Sequence, residues 1–207
     1  MNTEEVEPGS RQQRKERTRQ AILDSALALC ATEPLAAVSL RTIAKEVGIV
    51  PTAFYRHFAS IDDLGLALSD QGAGAIRDLI ARTSARARAA TDPIVEAVDA
   101  LLTTAGPDSE LIGFVTRERW CGTEVVRDRI NHELDLITRE LATDLARIPQ
   151  AQRWPTDDLL VVADLCLSLG LGTVQLIVTG HPAPAQRQRL EKQIRMLLVG
   201  TRNWHSS

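Results

Sequence analysis

Apolar residues recur at helical spacing along almost the whole chain. Ile22, Leu23, Ala26, Leu27 and Cys30 form one stripe and predict a helix from about Arg11 to Cys30. The segment Glu33-Pro34-Leu35-Ala36-Ala37 interrupts it. Ser39 then stands where an N-cap belongs, and Leu40, Ile43, Ala44 and Val47 follow at i, i+3, i+4 and i+7. Gly48 suits the end of that helix, and Pro51 suits the first turn of the next. Two short helices joined through a glycine turn of about three residues make a helix-turn-helix pattern.

Further along, Ser60 and Asp63 form a capping pair that opens a fourth helix through Leu64, Leu66 and Leu68, with Gly72 and Gly74 expected to loosen it. Thr91-Asp92-Pro93 starts a helix carrying Ile94, Val95, Val98, Leu101 and Leu102, and Gly106-Pro107 is expected to stop it. A short segment from Leu111 to Trp120 ends at Cys121-Gly122-Thr123. Val126, Ile130, Leu134, Ile137, Leu141, Leu145 and Ile148 then line one long amphipathic stripe. A loop follows from Pro149 to Pro155, and two last helices run over about 157–179 and 185–203, parted by Gly180-His181-Pro182-Ala183-Pro184. No stretch alternates like a strand. The expected fold is all-α: a flexible tail over 1–10, a helix-turn-helix domain over 11–58 and a helical body over 59–207.

The first of the two last helices is apolar nearly all round, so it must be covered on more than one side. Asp164, Ser168, Gln175 and several glycines interrupt the run, which reads as a buried helix rather than a membrane span. The final helix offers a narrower stripe of Leu190, Ile194, Leu197, Leu198 and Thr201. Together they fit a four-helix interface of a homodimer, two helices from each subunit. A monomer with a fully buried central helix is the alternative.

Charge changes the picture at one end only. The net charge is −3, yet residues 11–60 carry eight Lys/Arg against four acids. A basic head on an acidic body suits a polyanion partner, although ordinary surface charge gives the same count. The three cysteines, Cys30, Cys121 and Cys166, are widely spaced and fit a reducing cytoplasm rather than a disulfide scaffold. Aromatics are scarce, and three of the four Tyr and Phe residues fall at Phe54, Tyr55 and Phe58. Phe54 and Phe58 share one helical face and read as anchors; Thr52, Tyr55 and Arg56 lie on another, with groups suited to phosphates and base edges.

The run Ser39-Leu40-Arg41-Thr42-Ile43-Ala44-Lys45-Glu46-Val47-Gly48 followed by Pro51-Thr52-Ala53-Phe54-Tyr55-Arg56-His57-Phe58 resembles the TetR family of transcriptional regulators. Ile61-Asp62-Asp63-Leu64-Gly65-Leu66 and Arg117-Glu118-Arg119 look like the family's repressors of unsaturated fatty-acid synthesis and desaturation. The resemblance implies a homodimer with two DNA-binding heads on a palindromic double-stranded operator. It implies a recognition helix over 51–57, with Pro51 at its start and Thr52, Ala53 and Tyr55 toward the major groove or its walls. Tyr55 and His57 would touch phosphates, Arg56 a base or phosphate, and Thr42 the backbone. A basic arm of Arg14, Lys15, Arg17 and Arg19 would reach an adjacent groove. Family members often carry a lysine near the start of the fourth helix; here Asp62 and Asp63 stand there.

The resemblance and the apolar helices together imply a small hydrophobic effector, a long-chain acyl-CoA or another elongated hydrophobe, in a pocket built from about 94–145 and 159–178. Its lining is expected from Val98, Leu102, Phe114, Val115, Arg119, Trp120, Leu134, Ile137, Leu141, Leu165 and Leu169. A regulator of the same type sensing an unrelated drug or metabolite is the alternative, and a helical enzyme or adaptor is a more distant one. Trp120 either lines a pocket or fills the core. Arg117-Glu118-Arg119 holds a charged ligand group, couples the pocket to the heads, or is a solvated run. No cofactor is expected, nor a metal role for His57, His132, His181 or His205, which lack a second ligand at useful spacing. Catalysis finds no nucleophile elbow, phosphate loop or zinc motif. Glu118, Asp135 and Glu140 read as scattered helix-surface acids.

Overall fold

A computed structural model describes residues 8–148, 151–152, 154–180 and 183–202. Among them the chain is helical and holds no strand. The helices are α1 (Pro8–Leu29), α2 (Leu40–Val47), α3 (Pro51–Phe54), α4 (Ile61–Ala89), α5 (Pro93–Cys121), α6 (Glu124–Leu145), α7 (Thr156–Val178) and α8 (Ala183–Arg202), with a 3-10 turn at Leu35–Ala37 between α1 and α2. α1 starts at Pro8, so the end of the expected tail is helical; proline is tolerated in a first turn because its missing N–H has no intrahelical partner there.

The local signals hold where they lie at helix ends. The Ser39 hydroxyl accepts from the Arg41 N–H at 3.2 Å and Gly48 takes φ 74°, the left-handed backbone that closes α2. Ser60 Oγ accepts from the Asp63 N–H at 3.0 Å, and Asp63 Oδ2 accepts from the Ala59 N–H at 2.8 Å. The acids at 62 and 63 thus serve the start of α4, and Asp62 Oδ1 also accepts from the Thr123 hydroxyl at 2.8 Å.

Gly106-Pro107 does not stop a helix. α5 runs unbroken from Pro93 to Cys121, absorbing the segment expected to be separate at Leu111–Trp120. Proline in a helix interior removes one hydrogen bond, here the one that would reach the Thr103 carbonyl. Contact with α4 on both sides of that gap holds the helix. Arg86 pairs with Glu96 and donates to Thr103 Oγ1 at 3.2 Å, and Arg82 pairs with Asp108 at 2.8 Å. The glycines do not loosen α4 either. A Cβ at Gly72 would collide with Val115 of α5, so the missing side chain lets the two longest helices approach closely.

Head and body share one core. It runs from Ile22, Leu23, Ala26, Leu35, Ile43, Phe54 and Phe58 through Leu64, Leu68 and Ile76 to Phe114, Ile130, Ile137, Leu171 and Val174. Ala142, Ala151, Leu159 and Ala163 form a smaller cluster backed by Trp154. Glu118, expected on a helix surface, is fully buried in α5. Glu140 is at the surface but pairs with Arg77 of α4 at 3.0 Å.

α7 is less buried than an all-round apolar helix should be. By length and composition it could span a bilayer, with a mean hydropathy of 2.0 over its most apolar window, yet only 33% of that window is buried. Leu159, Val162, Ala163, Leu167, Leu171 and Val174 face the body. Val161, Leu165, Ser168 and Gly172 form an exposed stripe on the other side. α8 buries Leu190 and exposes Met196 and Val199, and it is tied to α5 by Arg187–Asp99 and Arg195–Asp92 pairs.

Candidate nucleic-acid interface

The turn between α2 and α3 is built from backbone hydrogen bonds. The Ile49 N–H donates to the Ala44 carbonyl at 2.9 Å and the Gly48 N–H to Lys45 at 3.2 Å, which redirects the chain into Pro51. Phe54 is fully buried and Phe58 is 2% exposed, their ring centroids 5.8 Å apart. With that face fastened, Thr52, Tyr55 and Arg56 are exposed, and Ala53 and His57 are half-buried. Tyr55 is 61% exposed and stands edge-on to Phe54 at 85°. Thr42 on α2 is exposed beside this surface.

The regular helix is shorter than the expected 51–57. α3 covers Pro51–Phe54, and residues 55–57 continue as a tighter turn. The His57 N–H donates to the Phe54 carbonyl at 2.8 Å and the Arg56 N–H to Ala53 at 3.2 Å. Phe58 must re-enter the core, and Ser60, extended at φ −158°, already caps α4, so little chain remains for a further turn. The fold also exposes Val50 to 64%, immediately before Pro51. An apolar side chain there suits a thymine methyl group; its place in a Gly-to-Pro turn is the only signal in the sequence.

The basic arm is the first part of α1. Arg14, Lys15 and Arg17 are exposed, whereas Arg19 turns inward, its guanidinium carbon 4.4 Å from the centroid of the Phe58 ring. Arg19 Nη1 and His57 Nδ1 are both buried without a hydrogen-bond partner. Burial, then the charges of Lys15 and Arg19, hold His57 below the usual histidine range; Glu16 opposes this and Arg56 adds to it. The first half of α1 and the recognition turn therefore share one electropositive face, with two polar nitrogens left without a partner.

The residues expected to line an effector pocket scatter. Val98, Phe114, Val115, Leu134 and Ile137 are packed in the body, while Leu102, Leu141 and Leu169 are half-buried. Leu165 is 43% exposed on the outer side of α7. Trp120 does not fill the core: it is 72% exposed, with the Arg119 guanidinium 4.8 Å from its ring. Two open grooves are formed elsewhere. One, of about 350 Å³, lies between α6 and α7 among Asp135, Thr138, Arg139, Val161, Asp164 and Leu165. The other, of about 620 Å³, runs along α8 past Gln188, Lys192, Arg195, Met196 and Val199. Leu165 alone of the expected lining residues falls in either groove.

Burial pushes the Cys30 thiol up to about 12, helped by the neighbouring Glu118, and Cys166 up to about 11, so neither is a thiolate at neutral pH. Cys121 is exposed. Among the described residues no group of three or more His, Cys, Asp or Glu is placed to hold a metal ion; His181 and His205 lie outside those residues.

Residues 22–68 match the sequence model of the bacterial regulatory proteins, tetR family. Solved structures align along most of the chain. A TetR-like transcriptional regulator from Rhodococcus sp. RHA1 superposes with a TM-score of 0.64 at 16% identity, covering 88% of this chain and 96% of its own. The fatty acid degradation regulator FadR from Bacillus halodurans gives a TM-score of 0.65 at 16% identity, covering 88% and 95%. A second Rhodococcus regulator gives 0.62 at 20% identity, covering 88% and 96%. Identities this low establish the shared fold. Residues 22–68 are thus similar to the bacterial regulatory proteins of the tetR family, and the chain as a whole shares the fold of solved TetR-like transcriptional regulators.

Proposed function

We propose that the chain is a dimeric, effector-responsive repressor that reads DNA through residues 11–58 and senses and dimerises through residues 59–207. It acts by binding rather than by catalysis. The observation that carries this reading is the split of the recognition turn: Phe54 and Phe58 are locked in the core while Thr52, Tyr55 and Arg56 stand free beside an exposed basic helix. Arg14, Lys15, Arg17 and His57 meet phosphates, and Pro51, Thr52, Ala53 and Tyr55 enter the major groove. The exposed stripe on α7 and the Met196–Val199 face of α8 bury each other across a two-fold axis.

For the effector, we propose a long-chain acyl-CoA or similar elongated hydrophobe, and lipid-metabolism genes as targets. The apolar α5 and α7 and the likeness in fold to a fatty-acid degradation regulator support this. A second reading, a regulator of the same type responding to an unrelated metabolite, is favoured by the close packing of Val98, Phe114, Val115 and Ile137 where acyl chains would have to enter. Selection of bound duplexes from a random pool, with and without acyl-CoA, tests both. A palindromic consensus lost or sharpened by acyl-CoA supports the first reading, and one indifferent to it supports the second. No consensus at low salt would sink the repressor itself.

A further inference from the structure

The end of α5 grips the turn that leads into the reading head. Glu118 is fully buried, and its Oε1 accepts the Leu35 N–H at 3.2 Å. Its neighbour Arg117 reaches the same oxygen with Nε at 3.4 Å and the Ala31 carbonyl with Nη1 at 3.4 Å. Both contacts land on the short connection between α1 and α2. Glu118 Oε2 is buried without a hydrogen-bond partner, and an added Cβ at Gly122 would lie 2.6 Å from the Glu118 carbonyl oxygen and 3.3 Å from Oε2, so the glycine permits the close backbone approach at the end of α5. A buried carboxylate with one unpartnered oxygen costs stability, and here its other oxygen holds the Leu35 amide.

What it holds is a keystone. The Leu35 side chain is fully buried and presses on α4 at Gly65, where an added Cβ would lie 2.5 Å from Leu35 Cδ2 and 2.7 Å from Val126 Cγ2 of α6. One residue of the head thus meets three body helices: its amide is bound by α5, and its side chain is seated on α4 against α6. Phe114, one turn before Glu118 on α5, is 1% exposed in the body core. A shift of α5 in the body therefore moves Glu118, and Leu35 with it.

Resting on the reading of the chain as a DNA-binding regulator, we propose that Glu118 is a positioning residue. Its carboxylate fixes the Leu35 turn and so sets the orientation in which the helix-turn-helix is presented to DNA. When Glu118 withdraws, the head stays folded but loses its fixed orientation, and operator affinity falls because that pre-organisation is gone.

The test compares the full-length wild type with Glu118→Gln, Glu118→Ala and Glu118→Asp. Each is measured for exchange of the Leu35 amide and for binding to the selected operator over a salt series. Gln keeps an acceptor oxygen at the same reach and should leave both properties near wild type. Ala removes the acceptor: the Leu35 amide should exchange about tenfold faster or more, and the operator Kd should rise by a similar factor. The salt slope should stay unchanged, because no phosphate contact is lost. If Ala fails to fold, Asp makes the same test, since it keeps the charge but draws the carboxylate back by one methylene. Unchanged exchange and affinity in the folded Ala or Asp variant would overturn the proposal, as would a Gln variant as impaired as Ala. A wild type that binds no duplex would refute the regulator reading and the operator part of the proposal with it, while the exchange measurements would still decide whether Glu118 holds Leu35.

Discussion

The Arg19 guanidinium covers the Phe58 ring, joining the middle of the basic helix α1 to the end of the recognition turn at 4.4 Å. One side chain thereby fixes the angle between two surfaces that would have to touch the same duplex. Replacing it by alanine removes a cation–π contact and uncovers Phe58, at about 0.5–2 kcal/mol of stability. Chemical denaturation of Arg19→Ala should show that loss, and lysine should restore only part of it because it lacks the planar group that stacks.

Tyr55 has a different signature. At 61% exposure it adds little to the core, so Tyr55→Ala should fold and dimerise as wild type does. Operator binding should weaken by about 1–3 kcal/mol, the scale of one good contact. Fluorescence anisotropy with the selected duplex measures this, and unchanged affinity would remove Tyr55 from the interface.

His57 gives a dependence on pH with two opposite signs. Its pKa is lowered in the folded chain, so the unfolded chain binds the proton more readily. Stability from this group is complete above the unfolded value near 6.5 and is lost as pH falls toward the lower folded value. A bound phosphate reverses the local field and favours the imidazolium. Operator affinity should therefore rise as pH falls from 8 to 6, by at most about tenfold per unit for each head. Both slopes should flatten in His57→Gln.

Two glycines of α4 should respond to alanine in opposite directions. At Gly74 an added Cβ meets nothing within 4 Å, so Gly74→Ala should gain about 0.5–1 kcal/mol from helix propensity. At Gly65 the same atom would lie 2.5 Å from Leu35 Cδ2, and overpacking there should cost about 1–3 kcal/mol. Paired denaturation curves separate the two.

The outer face of α7 and α8 sets the last expectation. Leu165→Glu with Met196→Glu places charge on the surface proposed to pair, while both positions are exposed in the single chain. Sedimentation should show a folded monomer that has lost cooperative operator binding. A variant that stays dimeric would move the interface elsewhere.

The sequence made the head readable because its determinants act within a few residues of one another. Ser39 and Gly48 bound α2, Pro51 opens α3, and Ser60 with Asp63 starts α4; each is a hydrogen bond or a backbone angle set locally. The body is decided at a distance. Pro107 ought to end a helix, but Arg82 and Arg86 reach across from α4 and hold the chain on either side of it. Glu118 looked like a surface acid because its partner is an amide 83 positions away in sequence. Trp120 is exposed against its hydropathy, with the Arg119 guanidinium over its face. The effector side is the least legible, since side chains that fill a core and side chains that line a cavity follow the same periodicity.

The uninterrupted core that links Phe54 and Phe58 to Phe114 and Leu171 bears on how such proteins can be re-engineered. A graft that cuts at residue 58 and places this head on a foreign body would leave Leu35 without its seat and Glu118 facing a strange sequence. The transferable cassette is larger than the DNA-reading segment: it includes the first turns of α4 and the end of α5, and a chimera built without them should misfold rather than merely misread.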